Sequence, residues 1–254
     1  MGHIRLGKLP KRKNWSQVCD LLSSSSDTKN IADSLSKAAK NSLLQENNQK
    51  GLFYTLRYLI KLVNASTTDA FDTALNNIDI QITSQDSGIS VLGHIAEKIK
   101  STVSESEGSS YLDNIAATAF QETLTKTVQQ NAQTLFGCSV DDIKNAFRKY
   151  STKTKFGEIA RLFFSAYLTR TFQSLIDRAV SEYVGQGRNF KQAEDVLEFQ
   201  NALKTYCWDV SKIVEDFSGS WYSKHQWEGT LSDDEIKRFS NYSLKKLLSE
   251  IGSQ

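Results

Sequence analysis

Leu52-Phe-Tyr-Thr-Leu-Arg-Tyr-Leu-Ile-Lys-Leu-Val63 decides the fold class. Leu52, Phe53, Leu56, Leu59, Ile60 and Val63 fall at i, i+1, i+4, i+7, i+8 and i+11. On a helix of 3.6 residues per turn these positions form one broad apolar stripe, which must be buried against something. Arg57 and Lys61 interrupt the run. It therefore falls short of the roughly 18 uncharged apolar residues that a membrane span needs.

The same period recurs outward in both directions. Toward the N-terminus, a helix near Asn14 carries Trp15, Val18, Cys19 and Leu22, and a second, about Thr28 to Glu46, carries Ile31, Leu35, Ala38, Ala39 and Leu43. Toward the C-terminus, Thr68 is a candidate N-cap for a short helix ending near Asn77. Ile78, Ile80 and Ile82 alternate with polar residues, a period-2 signal too short for a sheet. Ser87 to Lys100, Tyr111 to Leu135 and a short helix capped by Ser139 follow. Lys155 to Val184 contains Leu162-Phe-Phe-Ser-Ala-Tyr-Leu168, apolar nearly all round, which predicts a central place in a helical core. Lys191 to Phe217 reads as one long helix stopped by Gly219, and an aromatic loop runs from Ser220 to Leu231. The last helix opens on the capping-box pattern Ser232-Asp-Asp-Glu235.

The prediction is an all-α fold, a multi-helix bundle of about eight to ten helices with an extended N-terminal arm. A single proline, Pro10, fits that reading, because proline breaks helix interiors and is common in the turns of β-rich chains. Residues 1–13 form a basic extended arm, 14–102 an N-terminal helical layer and 111–254 a C-terminal helical core. Val103 to Ser110, polar and Ser/Glu-rich, is the candidate boundary. One continuous domain with a long loop fits equally.

Composition bounds the chemistry. A net charge of +2 over 254 residues does not by itself imply a nucleic-acid partner. Three dispersed cysteines, Cys19, Cys138 and Cys207, indicate no disulfide framework and a reducing compartment. The expected location is the cytoplasm, without stable membrane insertion. No P-loop is present, and Gly185-x-Gly187 follows a helix where a dinucleotide site needs a strand. His3, His94 and His225 are scattered, and His225 with Glu228 makes a poor metal pair. Cys207 lies on an apolar helix face, as a small buried hydrophobe would, whereas Cys138 follows Gly137 in a turn and is open to exposure. No catalytic residue, metal or cofactor is assigned.

Four features retain functional interest, one being the strength of the amphipathic stripes, which suit membrane insertion after a conformational change or, more simply, a packed core. The arm holds Arg5, Lys8, Lys11, Arg12 and Lys13 without an acid, beside Ile4, Leu6 and Leu9. Its cations suit phosphates, and its apolar residues suit docking on a protein. Trp221-Tyr-Ser-Lys-His-Gln-Trp227 either anchors an interface or folds back to plug the bundle. Arg161 and Arg170, on the most apolar helix, need carboxylate partners; Glu194, Glu215 and Asp216 are the candidates.

Two stretches carry a resemblance. Met-Gly-x-Ile-Arg-Leu-Gly-x-Leu-Pro at residues 1–10, with Trp15 soon after, is one. Ile213-Val-Glu-Asp-Phe217 through Trp221-Tyr-Ser-Lys224 is the other. Together they resemble uncharacterised helical proteins of bacterial multi-gene operons, some of the defence type. The resemblance covers the two chain ends and implies a bacterial cytosol and partner proteins. The expected function is a non-catalytic helical subunit or adaptor that binds a partner protein or self-assembles. Its handles are Ile4, Leu6, Lys8, Leu9, Trp221, Tyr222, Lys224 and Trp227. The alternative is a nucleic-acid-binding accessory protein using Arg5, Lys8, Lys11, Arg12 and Lys13.

Overall fold

A computed structural model describes residues 12–24, 27–46, 49–83, 85–106, 110–130, 138–177, 183–185 and 190–251. The protein is an all-α multi-helix bundle. Its helices are α1 (Arg12–Ser23), α2 (Thr28–Leu43), α3 (Lys50–Ala65), α4 (Phe71–Asn76), α5 (Gly88–Glu105), α6 (Tyr111–Gln129), α7 (Val140–Arg148), α8 (Lys153–Ile176), α9 (Ala193–Val210), α10 (Lys212–Trp227) and α11 (Asp233–Glu250). Among the described residues there is no strand, only an isolated bridge between Val184 and Phe190.

α8 lies at the centre, packed against α6, α9 and α10. Phe156, Phe163, Phe164, Tyr167, Leu168 and Phe172 are all sealed from solvent. α6 bridges α8 to α3 and α5. One apolar cluster runs from Val18 to Ile251.

Polar caps set most helix starts. Ser110 and Ser139 accept hydrogen bonds from the amides of Asp113 and Asp142, whose carboxylates answer the cap backbones. These capping boxes satisfy amides that no earlier turn can reach. Asp113 does more: its Oδ1 also accepts the Gly51 N–H at 2.6 Å. The first turn of α3 is thus capped by a buried carboxylate 62 residues away. A Cβ on Gly51 would lie 2.4 Å from Asp113 Cα, so only glycine permits this approach.

Several sequence expectations are corrected. α5 runs through Val103, which is fully buried one turn beyond Ile99, while Thr102 and Ser104 hydroxyls donate back to Lys98 and Lys100 carbonyls. The polar candidate boundary thus begins as helix. Thr68 does not cap α4, which starts at Phe71; its hydroxyl donates instead to the Ala65 carbonyl at the end of α3. α2 ends at Leu43, α6 at Gln129 and α8 at Ile176, each short of its expected end. Ile80 and Ile82 are buried in a non-helical connection, which turns at Asp79 (φ 61°) and is held by Asn76 accepting the Ile82 N–H.

The predicted helix Lys191–Phe217 is two helices. At Ser211 both the backbone N–H and the hydroxyl donate to the Cys207 carbonyl, at 3.2 and 2.6 Å. Such back-bonding competes with the regular ladder and bends helices. α10 then turns to lie closely along α8. Gly219 does not end a helix; it sits inside α10, where a Cβ would be 2.0 Å from the Lys153 carbonyl oxygen. Gly157 of α8 likewise faces the Glu215 carbonyl oxygen, 2.6 Å from its Cβ position. Two glycines, one per helix, set the α8–α10 separation.

Candidate functional site

Ile4, Arg5, Leu6, Lys8, Leu9 and Lys11 lie outside the described residues. Arg12 and Lys13 do not belong to an extended arm: their backbone forms the first turn of α1.

The aromatic stretch is also not a loop. Trp221, Tyr222, Lys224 and Trp227 ride on α10, and helical rotation separates their fates. Tyr222 turns inward. It is fully buried, stacks on Phe156 with centroids 3.9 Å apart, and donates its hydroxyl to Asn64 Oδ1 at 2.5 Å. Burial pushes its phenol far above the ordinary range. Tyr222 is a plug of the bundle and offers nothing to a partner. Trp221 is half-buried, stacked on Phe239 at 4.1 Å and tilted against His225 at 5.0 Å. Lys224 is exposed. Trp227, on the last turn, is 92% exposed.

Neighbouring residues fix the end of α10. His225 Nδ1 lies 2.8 Å from the Thr230 hydroxyl, and its Nε2 is 3.9 Å from Glu235. Glu235 also pairs with Arg238, so the expected reciprocal capping box is only half formed: Ser232 accepts the Glu235 N–H. The acidic first turn of α11 still complements the helix dipole, and Asp233 accepts from Arg57 Nε at 2.7 Å.

Arg161 finds the anticipated Glu215 at 2.9 Å, with Asp209 at 4.0 Å. Its Nε donates to the Trp208 carbonyl, and its guanidinium lies 4.0 Å from the Trp208 ring centre. Arg170 pairs with neither Glu194 nor Asp216; it meets Glu122 of α6 at 3.0 Å. Burial works against the Glu122 charge, but hydrogen bonds and charge from Lys126 and Arg170 outweigh it and hold the carboxyl below its usual range. Both arginines are therefore engaged in ion pairs between helices.

Cys207 is fully buried, and burial pushes its thiol up to about 12. Cys138, expected in an open turn, is buried against Gly88, and burial raises its thiol too. Neither thiol is poised as a nucleophile, which must ionise near neutral pH. Among the described residues no group of three or more His, Cys, Asp or Glu side chains is placed to hold a metal. No helix among them is long and apolar enough to cross a membrane.

The sequence reading missed Leu197 and Tyr242, 58% and 49% exposed, and Trp208, 38% exposed. Periodicity held the signal for Trp208: with Cys207 and Val210 facing inward, its neighbour faces out. Compared with family models, with curated proteins and with solved structures, the chain matches none of them.

Proposed function

We propose that the protein is a non-catalytic subunit or adaptor that holds a partner protein, or a second copy of itself, with the exposed end of α10. The single observation carrying this reading is Trp227, 92% exposed on the last turn of a helix whose inner face is locked into the core. An exposed indole supplies large contact area, and tryptophan is enriched among binding hot spots. Lys224, one turn earlier and exposed, adds a rim charge. The absence of catalysis is part of the proposal. It is supported by the way Arg161, Arg170, Glu122 and Glu215 are consumed in structural pairs and Cys207 is sealed.

The setting we propose is a cytoplasmic complex of bacterial operon products, of the defence type, supported by the resemblance of the two chain ends. The test is co-expression of the tagged chain with the products of neighbouring genes, followed by native mass spectrometry. A defined complex or homo-oligomer that dissociates in Trp227→Ala is expected. A chain that stays monomeric beside every neighbour overturns the reading. The five cations within residues 5–13 favour a second reading, nucleic-acid binding. It requires affinity that falls steeply with salt and drops when Lys8, Lys11, Arg12 and Lys13 are made neutral.

A further inference from the structure

A cleft of about 240 Å³ opens between α6 and α9, floored by α8. Its floor is low because α8 presents small residues there: Ser165, Ala166 and Thr169, with Leu162 at one end. Thr169 is itself buried, and its hydroxyl oxygen is sealed from the cleft beside the Cys207 thiol, so the floor it gives is its apolar side. One wall is Trp208. The Arg161 guanidinium lies on its ring, and the Arg161–Glu215 pair stands behind it.

Charge is arranged around the opening with a clear sign. From α6 come Glu122 and Lys126, joined by Arg170, which shares the same carboxylate. From α9 comes Lys204, exposed, which meets no carboxylate among the described residues. Two cations, Lys126 and Lys204, thus line the cleft with one carboxylate, Glu122, that is already doubly paired. A floor of small side chains, an aromatic wall and a surplus of positive charge at the rim are the features of a small-ligand site with a few convergent polar groups. We propose that this cleft binds a small organic anion with a flat ring, the ring lying on Leu162 and Ala166 against Trp208 and the anionic group facing Lys204 and Lys126. This site is separate from the end of α10, so its failure leaves the adaptor reading untouched.

The probe is anilinonaphthalene sulfonate, titrated into the full chain and followed by its own fluorescence and by calorimetry. Its uncharged analogue phenylnaphthylamine carries the same rings without the sulfonate. Saturable binding at one site per chain is expected. It should weaken by about tenfold or more in Lys204→Glu, a surface change that leaves the core intact, and in Ala166→Phe, which fills the cleft. The uncharged analogue should bind about tenfold more weakly than the sulfonate. Three outcomes overturn the proposal: no saturable binding, equal affinity for the charged and uncharged probes, or sulfonate affinity unchanged in a folded Lys204→Glu protein.

Discussion

The same substitution, glycine to alanine, should have opposite effects at two positions in this protein. In a helix interior alanine is favoured over glycine by about 0.8–1.0 kcal/mol. Gly93 of α5 has nothing within 4 Å of its Cβ position, so Gly93→Ala should realise that gain, raising stability by about 1 kcal/mol. Gly219 has the same intrinsic gain available, but its Cβ would lie 2.0 Å from the Lys153 carbonyl oxygen. Carbon atoms in contact ordinarily sit about 3.5–4.0 Å apart, so α10 must retreat from α8 by roughly 1 Å or more. No rotamer relieves a methyl against a backbone carbonyl. That retreat opens the Phe156–Tyr222 stack and forfeits a quarter to a half of each contact it loosens. Overpacking of this kind costs about 1–3 kcal/mol and occasionally more, and a backbone clash at 2.0 Å belongs at the upper end. Net of the helix gain, Gly219→Ala should lose about 2 kcal/mol or more. Urea unfolding followed by helical circular dichroism measures both variants, with the denaturant slope checked for constancy. A neutral or stabilised Gly219→Ala protein would refute the close α8–α10 crossing.

Three further outcomes follow from the geometry. Tyr222→Ala should cost about 3–5 kcal/mol, as deletion of a buried ring does, and Tyr222→Phe about 1 kcal/mol for the bond to Asn64, whereas Trp227→Ala should stay within about 0.5 kcal/mol; chemical denaturation of the three variants ranks them. Asp113→Asn should lose about 1–3 kcal/mol in the same assay, because one amide oxygen cannot serve both the Gly51 and Ser110 N–H groups and one buried donor is left unmet. The folded-state pKa of Cys207 is raised by burial to about 12, against about 8.5 unfolded, so its contribution is fully present below pH ~8.5 and is lost as pH rises toward 12. The urea midpoint should therefore fall between pH 8 and pH 10, on the order of 1 kcal/mol per pH unit from this group, and fall less steeply in Cys207→Ala.

The helical class was legible because it rests on local period. The stripe from Leu52 to Val63 and the all-round apolarity of Leu162 to Leu168 each require burial, and both are buried except at half-buried Phe53 and Leu162. What sequence left hidden depends on distant partners. Gly219 is locally indistinguishable from a terminator; only the Lys153 carbonyl, far back in the chain, makes it a packing residue. Asp113 reads as the N3 member of a capping box, and nothing near it announces Gly51. Treating Ser220 to Leu231 as a loop erased the helical rotation that sends Tyr222 inward and Trp227 outward. Arg161 found an anticipated partner because Glu215 follows on the next packed helices, whereas Arg170 turned to the preceding α6.

The central claim is that α10 is one continuous helix carrying a core plug on one face and an exposed anchor at its end. Hydrogen–deuterium exchange over residues 212–227 tests it most directly. The amides from Val214 to Tyr222 should be protected about as strongly as those of α8, with protection fading only at the final turn around Trp227. Exchange of residues 220–227 at the rate of an open loop would contradict it.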